Sequence, residues 1–155
     1  MPSNKKLLQA AAGSAGGTEG YVEDVFSTFL YTGNDTTQTV INGIDLAGEG
    51  GLVWVKARSN AETHGLVDTA RGVTKVLQSN ETAAEATIAQ SITSFNSNGF
   101  QIANSNDTIF NRSPRTYASW TFRKQKGFFD CVKFSTTSGG GQQTVSHNLG
   151  SIPGT

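Results

Sequence analysis

Residues 50–58 have the sequence GGLVWVKAR, a run that indicates a buried β-strand. Two glycines precede the run, and its leucine, valines and tryptophan are residues that favour strands. Because side chains alternate across a strand, Leu52 and Trp54 lie on one face and Val53 and Val55 on the other. Both faces are therefore apolar at the start of the run, a pattern typical of a central strand in a layered β domain.

The composition around this strand is that of one polar, strand-rich domain. The chain has 155 residues, 35% of them hydrophobic, with 18 glycines. The 12 basic and 12 acidic residues balance, so charge gives no reason to expect a nucleic-acid partner. Cys131 is the single cysteine, which excludes an intrachain disulfide and a cysteine-built zinc site. Its apolar neighbours indicate a packed core thiol, and no cofactor is expected.

Residues 1–20 are predicted to form a separate N-terminal arm. A short stretch of good helix formers is followed by a glycine-rich hinge at residues 13–17. The anchoring residues of this arm are predicted to be Lys5, Lys6, Leu7 and Leu8. The apolar core of the stretch is too short for a secretory signal, so no signal peptide is expected, and no segment has the length of a membrane span.

Residues 21–127 are predicted to form an antiparallel β-sandwich of jelly-roll or lectin/laminin-G-like form. Runs of β-branched and aromatic residues alternate with turn residues throughout this part of the chain. Strands are predicted at residues 21–31, 38–41, 50–58, 65–69, 73–77, 98–102 and 117–123. The alanine-rich residues 80–89 predict a short helix.

The last of these strands shows the cleanest alternation in the chain. Ala118, Trp120 and Phe122 share one face, and the other face carries hydroxyl and charged residues from Tyr117 to Arg123. This pattern predicts a half-buried strand with its apolar face inward. Four large aromatic residues are therefore predicted to lie in the core: Trp54, Phe100, Trp120 and Phe122.

Residues 128–155 are predicted to begin a second, related β unit. An aromatic run, a turn and a Gln-Thr-Val segment follow one another in residues 26–46 and again in residues 129–149. The chain ends where the counterpart of the 50–58 strand should begin, so we expect the unit to be truncated.

Catalytic and metal-binding patterns are weak. His64 and His147 lie in no recognisable motif, and the carboxylates show no spacing typical of glycoside hydrolysis. The oxygens of Asn34 and Asp35, and those of residues 104–107, could bind calcium, but capping of polar turns is the favoured interpretation. The chain is predicted not to be an enzyme.

Several segments together resemble a family of virion structural proteins, tail or fibre-like, from marine tailed bacteriophages. They are residues 25–34 (VFSTFLYTGN), 50–58, 68–72 (DTARG), 94–100 (SFNSNGF), 118–124 (ASWTFRK) and 146–154 (SHNLGSIPG), together with the start at 5–12 (KKLLQAAA). The resemblance implies a structural appendage protein in the virion. In such a protein we predict that the N-terminal arm is the anchor and contacts other virion proteins or copies of the chain in a trimer. It implies no catalytic residues.

Two other functions stay open at this point. A glycan-binding module for the host surface is the first alternative, since the strand order also resembles lectin sandwiches. Candidate ligand contacts at loop ends are Tyr117, Arg123, Asn104 and Asp107. A glycan-degrading enzyme is the less favoured alternative.

Overall fold

The protein, seen in a computed structural model, is described for residues 21–103, 107–136, 139 and 141–150. Within these residues the chain forms one helical turn and nine strands. In chain order they are α1 (Val22–Val25), β1 (Phe26–Thr32), β2 (Gln38–Ile41), β3 (Gly51–Ala57), β4 (Gly65–Asp68), β5 (Lys75–Val76), β6 (Ala86–Thr87), β7 (Ile92–Asn96), β8 (Gly99–Ile102) and β9 (Thr116–Arg123). None of the helical residues described here forms a segment long and apolar enough to cross a membrane.

The strands form an antiparallel sandwich, which confirms the predicted fold class. A four-stranded sheet has the order β1-β9-β3-β4, and a three-stranded sheet has the order β2-β8-β7. A small β5-β6 pair is joined to the larger sheet by a bridge between Leu66 and Leu77. All strand pairs are antiparallel.

Strand β3 lies inside the larger sheet, as the sequence predicts. It pairs with β9 on one side and β4 on the other, with Trp54 opposite Trp120 and Leu66. Val53 and Val55 are fully buried, whereas Leu52 and Trp54 are half-buried. The alternation in the sequence therefore matches the alternation in burial, with the valine face turned toward the other sheet.

The core lies between the two sheets. The larger sheet contributes the valines of β3 and β4, and the smaller sheet contributes branched and aromatic residues of β2, β7 and β8. Its fully buried side chains from the two sheets include Val40, Val53, Val55, Val67, Ile92, Phe100, Ile102 and Tyr117. Ile44, Leu46 and Phe110, from loops, close the ends.

The prediction for the two faces of β9 is wrong. Tyr117, Ser119 and Thr121 are fully buried against the second sheet, while Trp120 and Phe122 are half-buried on the outside. Burial of the hydroxyl face is permitted because its polar groups are hydrogen-bonded: Thr121 Oγ1, for example, accepts from Asn42 Nδ2 at 2.8 Å.

The predicted core set needs the same correction. Phe100 lies in the core with no exposed surface, which confirms that part of the prediction. Trp54, Trp120 and Phe122 do not: their rings lie on the outer face of the larger sheet.

The short helix predicted at residues 80–89 does not form. Ala86 and Thr87 instead make strand β6, opposite Val76 and Lys75. Ile88 N then donates to Thr74 O at 2.8 Å, so pairing with a distant segment outweighs the helix propensity of the alanines. Strand β7 was not predicted.

The described residues after β9 contain no strand, only a bridge between Gln125 and Phe129. The Gln-Thr-Val segment at residues 143–145, part of the predicted second unit, therefore forms no strand. Gly127 N donates to Leu149 O at 2.9 Å, which holds this part of the chain against the end of β9. The boundaries at residues 20 and 127 remain predictions, and the anchoring residues Lys5, Lys6, Leu7 and Leu8 lie outside the described residues.

Candidate functional site

The outer face of the larger sheet carries a contiguous set of half-buried apolar side chains. Because β1, β9 and β3 are in register, side chains of the same parity point to the same side. We call this surface the aromatic face and define it by Phe26, Leu52, Trp54, Trp120 and Phe122. Leu30 extends it to the β1 edge, where 57% of its surface is exposed.

The rings of the aromatic face contact one another across the strands. Trp54 and Trp120 have ring centroids 5.4 Å apart and tilted by 55°, and Phe26 and Phe122 are 4.9 Å apart at 47°. Such tilted pairs add to the stability gained by burial alone. Phe129 covers one end of the face by stacking on Phe122 at 5.3 Å.

The other end of the aromatic face carries a histidine and a lysine. Trp54 Nε1 donates to His64 Nδ1 at 3.3 Å, and the two rings lie 5.8 Å apart. Burial, with a smaller contribution from the charge of Lys56, lowers the pKa of His64 below 6.5. The imidazole is therefore neutral at pH 7, as its role as an acceptor requires.

An open cleft of about 380 Å³ lies beyond Phe129. It is lined by Glu49, Lys124, Gln125, Lys126, Phe129, Asp130 and Asn148. Lys124 Nζ lies 3.3 Å from Asp130 Oδ1, and Asn148 N donates to Asp130 Oδ2 at 2.7 Å. The backbone hydrogen bond from Asn148 holds the pKa of Asp130 below its usual value, so its carboxylate stays charged at neutral pH. An aromatic ring beside charged and amide groups suits a polar ligand such as a sugar.

A smaller cavity of about 170 Å³ lies beside the DTARG segment and Cys131. The buried carboxylate of Asp68 accepts from Ala70 N, Arg71 N and Arg71 Nε, at 3.0, 2.9 and 2.5 Å. These bonds close the turn after β4, and Arg71 also donates to Leu66 O at 3.0 Å. The segment is thus a structural turn.

Cys131 lies in the wall of that smaller cavity. Burial, with a further contribution from Asp68, raises the pKa of the Cys131 thiol to about 11. The thiolate is the nucleophilic form of cysteine, so the protonated thiol is unsuited to catalysis. Cys131 is only half-buried and lies outside the hydrophobic core, so it is not the packed core thiol that the sequence predicts.

The structure does not bring the candidate ligand contacts together. Tyr117 is fully buried, so the prediction that it is an exposed contact is wrong. Its hydroxyl donates to Thr108 O at 3.0 Å and accepts from Arg112 N at 2.9 Å. Arg123 is at the far end of β9, roughly 20 Å away at the rise of an extended strand.

Of the other candidate contacts, Arg123 lies beside the cleft, where it donates to Gln125 Oε1 at 3.0 Å. Asp107 is half-buried and accepts from Ile109 N at 2.9 Å, and burial raises its pKa. Asn104 lies outside the described residues.

The calcium alternative for Asn34 and Asp35 has no support in the geometry. Asn34 Oδ1 accepts from Thr36 N at 2.9 Å, and Asp35 Oδ1 accepts from Ser113 N at 3.0 Å. Both side chains therefore cap turns. Across the described ranges, no group of three or more histidine, cysteine or acidic residues is placed to hold a metal ion.

Sequence reasoning missed both surfaces. The sequence predicts that the rings of the aromatic face lie in the core. A signal against this is that the opposite face of β9 carries the uncharged hydroxyls of Tyr117, Ser119 and Thr121, which can be buried when they are hydrogen-bonded. The cleft residues Glu49, Asp130 and Asn148 are far apart in sequence and carry no local signal.

The chain matches a protein family described as a domain of unknown function, DUF7483, over residues 22–155. No curated protein and no solved structure matches it. The matched residues include every strand of the sandwich and both walls of the cleft. The chain therefore belongs to the DUF7483 family.

Proposed function

We propose that the protein is a structural component of a tailed-phage virion, a tail or fibre-like appendage protein with no catalytic role. The resemblance of its segments to virion proteins of marine phages is the reason for proposing a phage particle. The aromatic face is the observation that carries the proposal, since its contiguous half-buried side chains leave apolar area at the surface, and such area typically marks a protein–protein contact. In an appendage, neighbouring subunits would cover this surface.

The N-terminal arm is the proposed anchor. Its residues 1–12 combine an apolar patch with two lysines, and a helix that short is marginal in water without a partner. The arm would bind another virion protein or a symmetry-related copy, most simply in a trimer. The sandwich would then project outward from the particle.

Mass spectrometry of purified particles tests the proposal directly. We expect peptides of the chain at a fixed copy number per particle, and their absence would contradict the proposal. Deletion of residues 1–17 should leave the melting temperature unchanged but prevent incorporation. Normal incorporation of the truncated chain would show that the arm is not the anchor.

The cleft favours one second candidate, a glycan-binding role in the same appendage. Phe129 offers a ring, and Glu49, Asp130, Lys124 and Asn148 offer hydrogen-bonding groups around it. A glycan array with the intact protein tests this role. Binding that is lost in Glu49→Gln but kept in a variant outside the cleft, such as Phe134→Ala, would support it, and an array without signal would reject it.

A further inference from the structure

Strand β1 is an edge strand whose outward backbone groups can be identified. Gly33 N donates to Arg115 O, and these two residues continue the register of β1 and β9. In an antiparallel pair, hydrogen-bonded residues alternate with residues whose backbone groups point away. Ser27, Phe29 and Tyr31 therefore bond to β9, and the alternate residues of β1 point outward.

The opposite side of β9 confirms this assignment. Lys124 N donates to Gly50 O at 2.9 Å, and Arg58 N donates to Thr116 O at 2.7 Å. The even-numbered residues of β9 thus bond to β3, which leaves its odd-numbered residues for β1. Both observations therefore show that Ser27, Phe29 and Tyr31 bond to β9 and that the backbone groups of Thr28, Leu30 and Thr32 point outward.

Among the described residues, no backbone group bonds to the outward N–H and C=O groups of Thr28, Leu30 and Thr32. All three residues are exposed. Phe26 differs, because its outward N–H already donates to Val22 O at the end of α1. Within the part of the chain that the structure describes, strand β1 thus presents an unpaired row of backbone donors and acceptors.

The other long edges are better covered. At β4, Leu66 and Leu77 exchange backbone hydrogen bonds of 2.9 and 3.0 Å. At β7, Ile92 O accepts from Thr74 N at 3.0 Å and Asn96 O accepts from Leu46 N at 3.0 Å. Strand β2 has only four residues, whereas β1 has seven. Among the described strands, β1 is therefore the longest edge without a backbone partner.

The sequence of β1 contains none of the usual protections of an edge. Its residues, FSTFLYT, include no charge and no proline. Natural sheets commonly place lysine, proline or a bulge on an edge to prevent pairing with another chain. An open edge without these features is suited to strand addition.

We propose that the occupant of this edge is a second copy of the chain, bound through antiparallel pairing of β1 with itself. The outward residues determine the register of this pairing, because each hydrogen bond between the copies must join an outward N–H of one β1 strand to an outward C=O of the other. Full overlap places Thr28 opposite Leu30 of the partner subunit, with Phe29 of each copy at the two-fold axis. The two larger sheets then form one continuous eight-stranded sheet.

Charge and packing agree with a second copy as the occupant. An uncharged strand meets itself without like-charge repulsion, and the whole chain has equal numbers of acidic and basic residues. The pairing also brings the Leu30 side chains of the two copies within diagonal contact distance, which reduces their exposure. The contact is two-fold, so it differs from the arm-mediated trimer; copies joined by both contacts would form hexamers.

Sedimentation of the intact chain at increasing concentration tests the contact. We expect the mass to double at high concentration, from one chain to two or, where the arm joins three copies, from three to six. Leu30→Lys should lose the doubled species with the melting temperature kept. Ile41→Lys is the matched control, since Ile41 is 62% exposed on the edge of the other sheet. A dimer that survives Leu30→Lys, or that only Ile41→Lys removes, would overturn the proposal.

Hydrogen exchange provides a second readout in the same strand. The amides of Thr28 and Leu30 should be protected at least about tenfold more at high concentration, whereas the Phe29 amide, bonded to β9, should be unaffected by dilution. Fast exchange of Thr28 and Leu30 in a chain that stays monomeric would overturn the proposal. A monomer that dimerises only after deletion of residues 1–17 would show instead that the arm occupies the edge.

Discussion

Tyr31 and Tyr117 stack inside the sandwich with ring centroids 5.1 Å apart and ring planes 13° apart. Each hydroxyl also donates to a backbone carbonyl of one loop, Tyr31 to Phe110 O at 2.8 Å and Tyr117 to Thr108 O at 3.0 Å. The pair therefore joins neighbouring strands and ties the 108–112 loop to the larger sheet. Burial raises the pKa of both phenols, well above 10.0 for Tyr31, so both remain hydrogen-bond donors at any ordinary pH.

Replacing Tyr117 with phenylalanine should lower the free energy of unfolding by about 1–3 kcal/mol, because two hydrogen bonds of a buried hydroxyl are lost. Tyr31→Phe is the matched control, with the loss of one bond and an expected smaller effect. Urea unfolding measures both variants. Equal stability of wild type and Tyr117→Phe would show that the hydroxyl contributes nothing.

Replacing Trp120 with alanine should lower the free energy of unfolding by less than replacing Phe100 with alanine. Phe100 is fully buried, and removal of such a ring costs about 3–5 kcal/mol, including the cavity left behind. Trp120 is half-buried, so about 100 Å² of lost burial corresponds to about 2.5 kcal/mol. Chemical denaturation of both variants at low protein concentration compares them. A larger loss for Trp120 would mean that the aromatic face is covered in solution.

The imidazole of His64 should titrate below pH 6.5 in the folded protein. Since its folded pKa is lowered, the unfolded chain binds more protons between that value and 6.5. The stability contributed by His64 is therefore complete above pH 6.5, falls as pH decreases through this window, and levels off below the folded pKa.

Proton NMR of the His64 ring measures this midpoint. Lys56→Met should raise the midpoint, because the charge of Lys56 is one of the two causes that lower the pKa of His64. Unfolding measurements with His64→Gln should lose the pH dependence in this window. A midpoint at or above 6.5 in the wild type would contradict the prediction.

The thiol of Cys131 should react slowly with alkylating or disulfide reagents in the folded state. Raising its pKa from 9.0 to about 11 lowers the thiolate fraction near pH 8 about 100-fold. Reaction should become fast once the chain is unfolded in denaturant, which provides the control. Equal rates in both states would show that the thiol is neither buried nor influenced by Asp68.

Much of the fold follows from local patterns. The 50–58 run predicts β3, and the turn residues around it predict the positions of most other strands. The helix predicted at residues 80–89 does not form because Ala86 and Thr87 pair with the backbone of Val76 and Lys75. The helix propensity of the alanines can be seen in the local sequence, whereas this pairing cannot.

The outward direction of Trp54 and Trp120 could not be predicted for a related reason. A period of two identifies two faces but not which of them meets the second sheet. The decision depends on distant partners, such as Asn42 for Thr121 and the 108–112 loop for Tyr117. Because those hydroxyls are hydrogen-bonded inside the sandwich, Trp120 lies on the outer face of β9, and Trp54 lies beside it on β3.

The position of β9 has a consequence for how the chain is made. This strand lies between β1 and β3 in the larger sheet, yet it comes last in sequence among the described strands, 90 positions after β1 at the Phe29–Ser119 pair. While a ribosome is still extending the chain, the strand that lies between β1 and β3 is missing until residue 123 has emerged, so these two strands cannot yet belong to one sheet. Folding must then wait for the closure of a very long loop, which makes it slow and leaves the open β1 edge exposed to other nascent chains in the meantime.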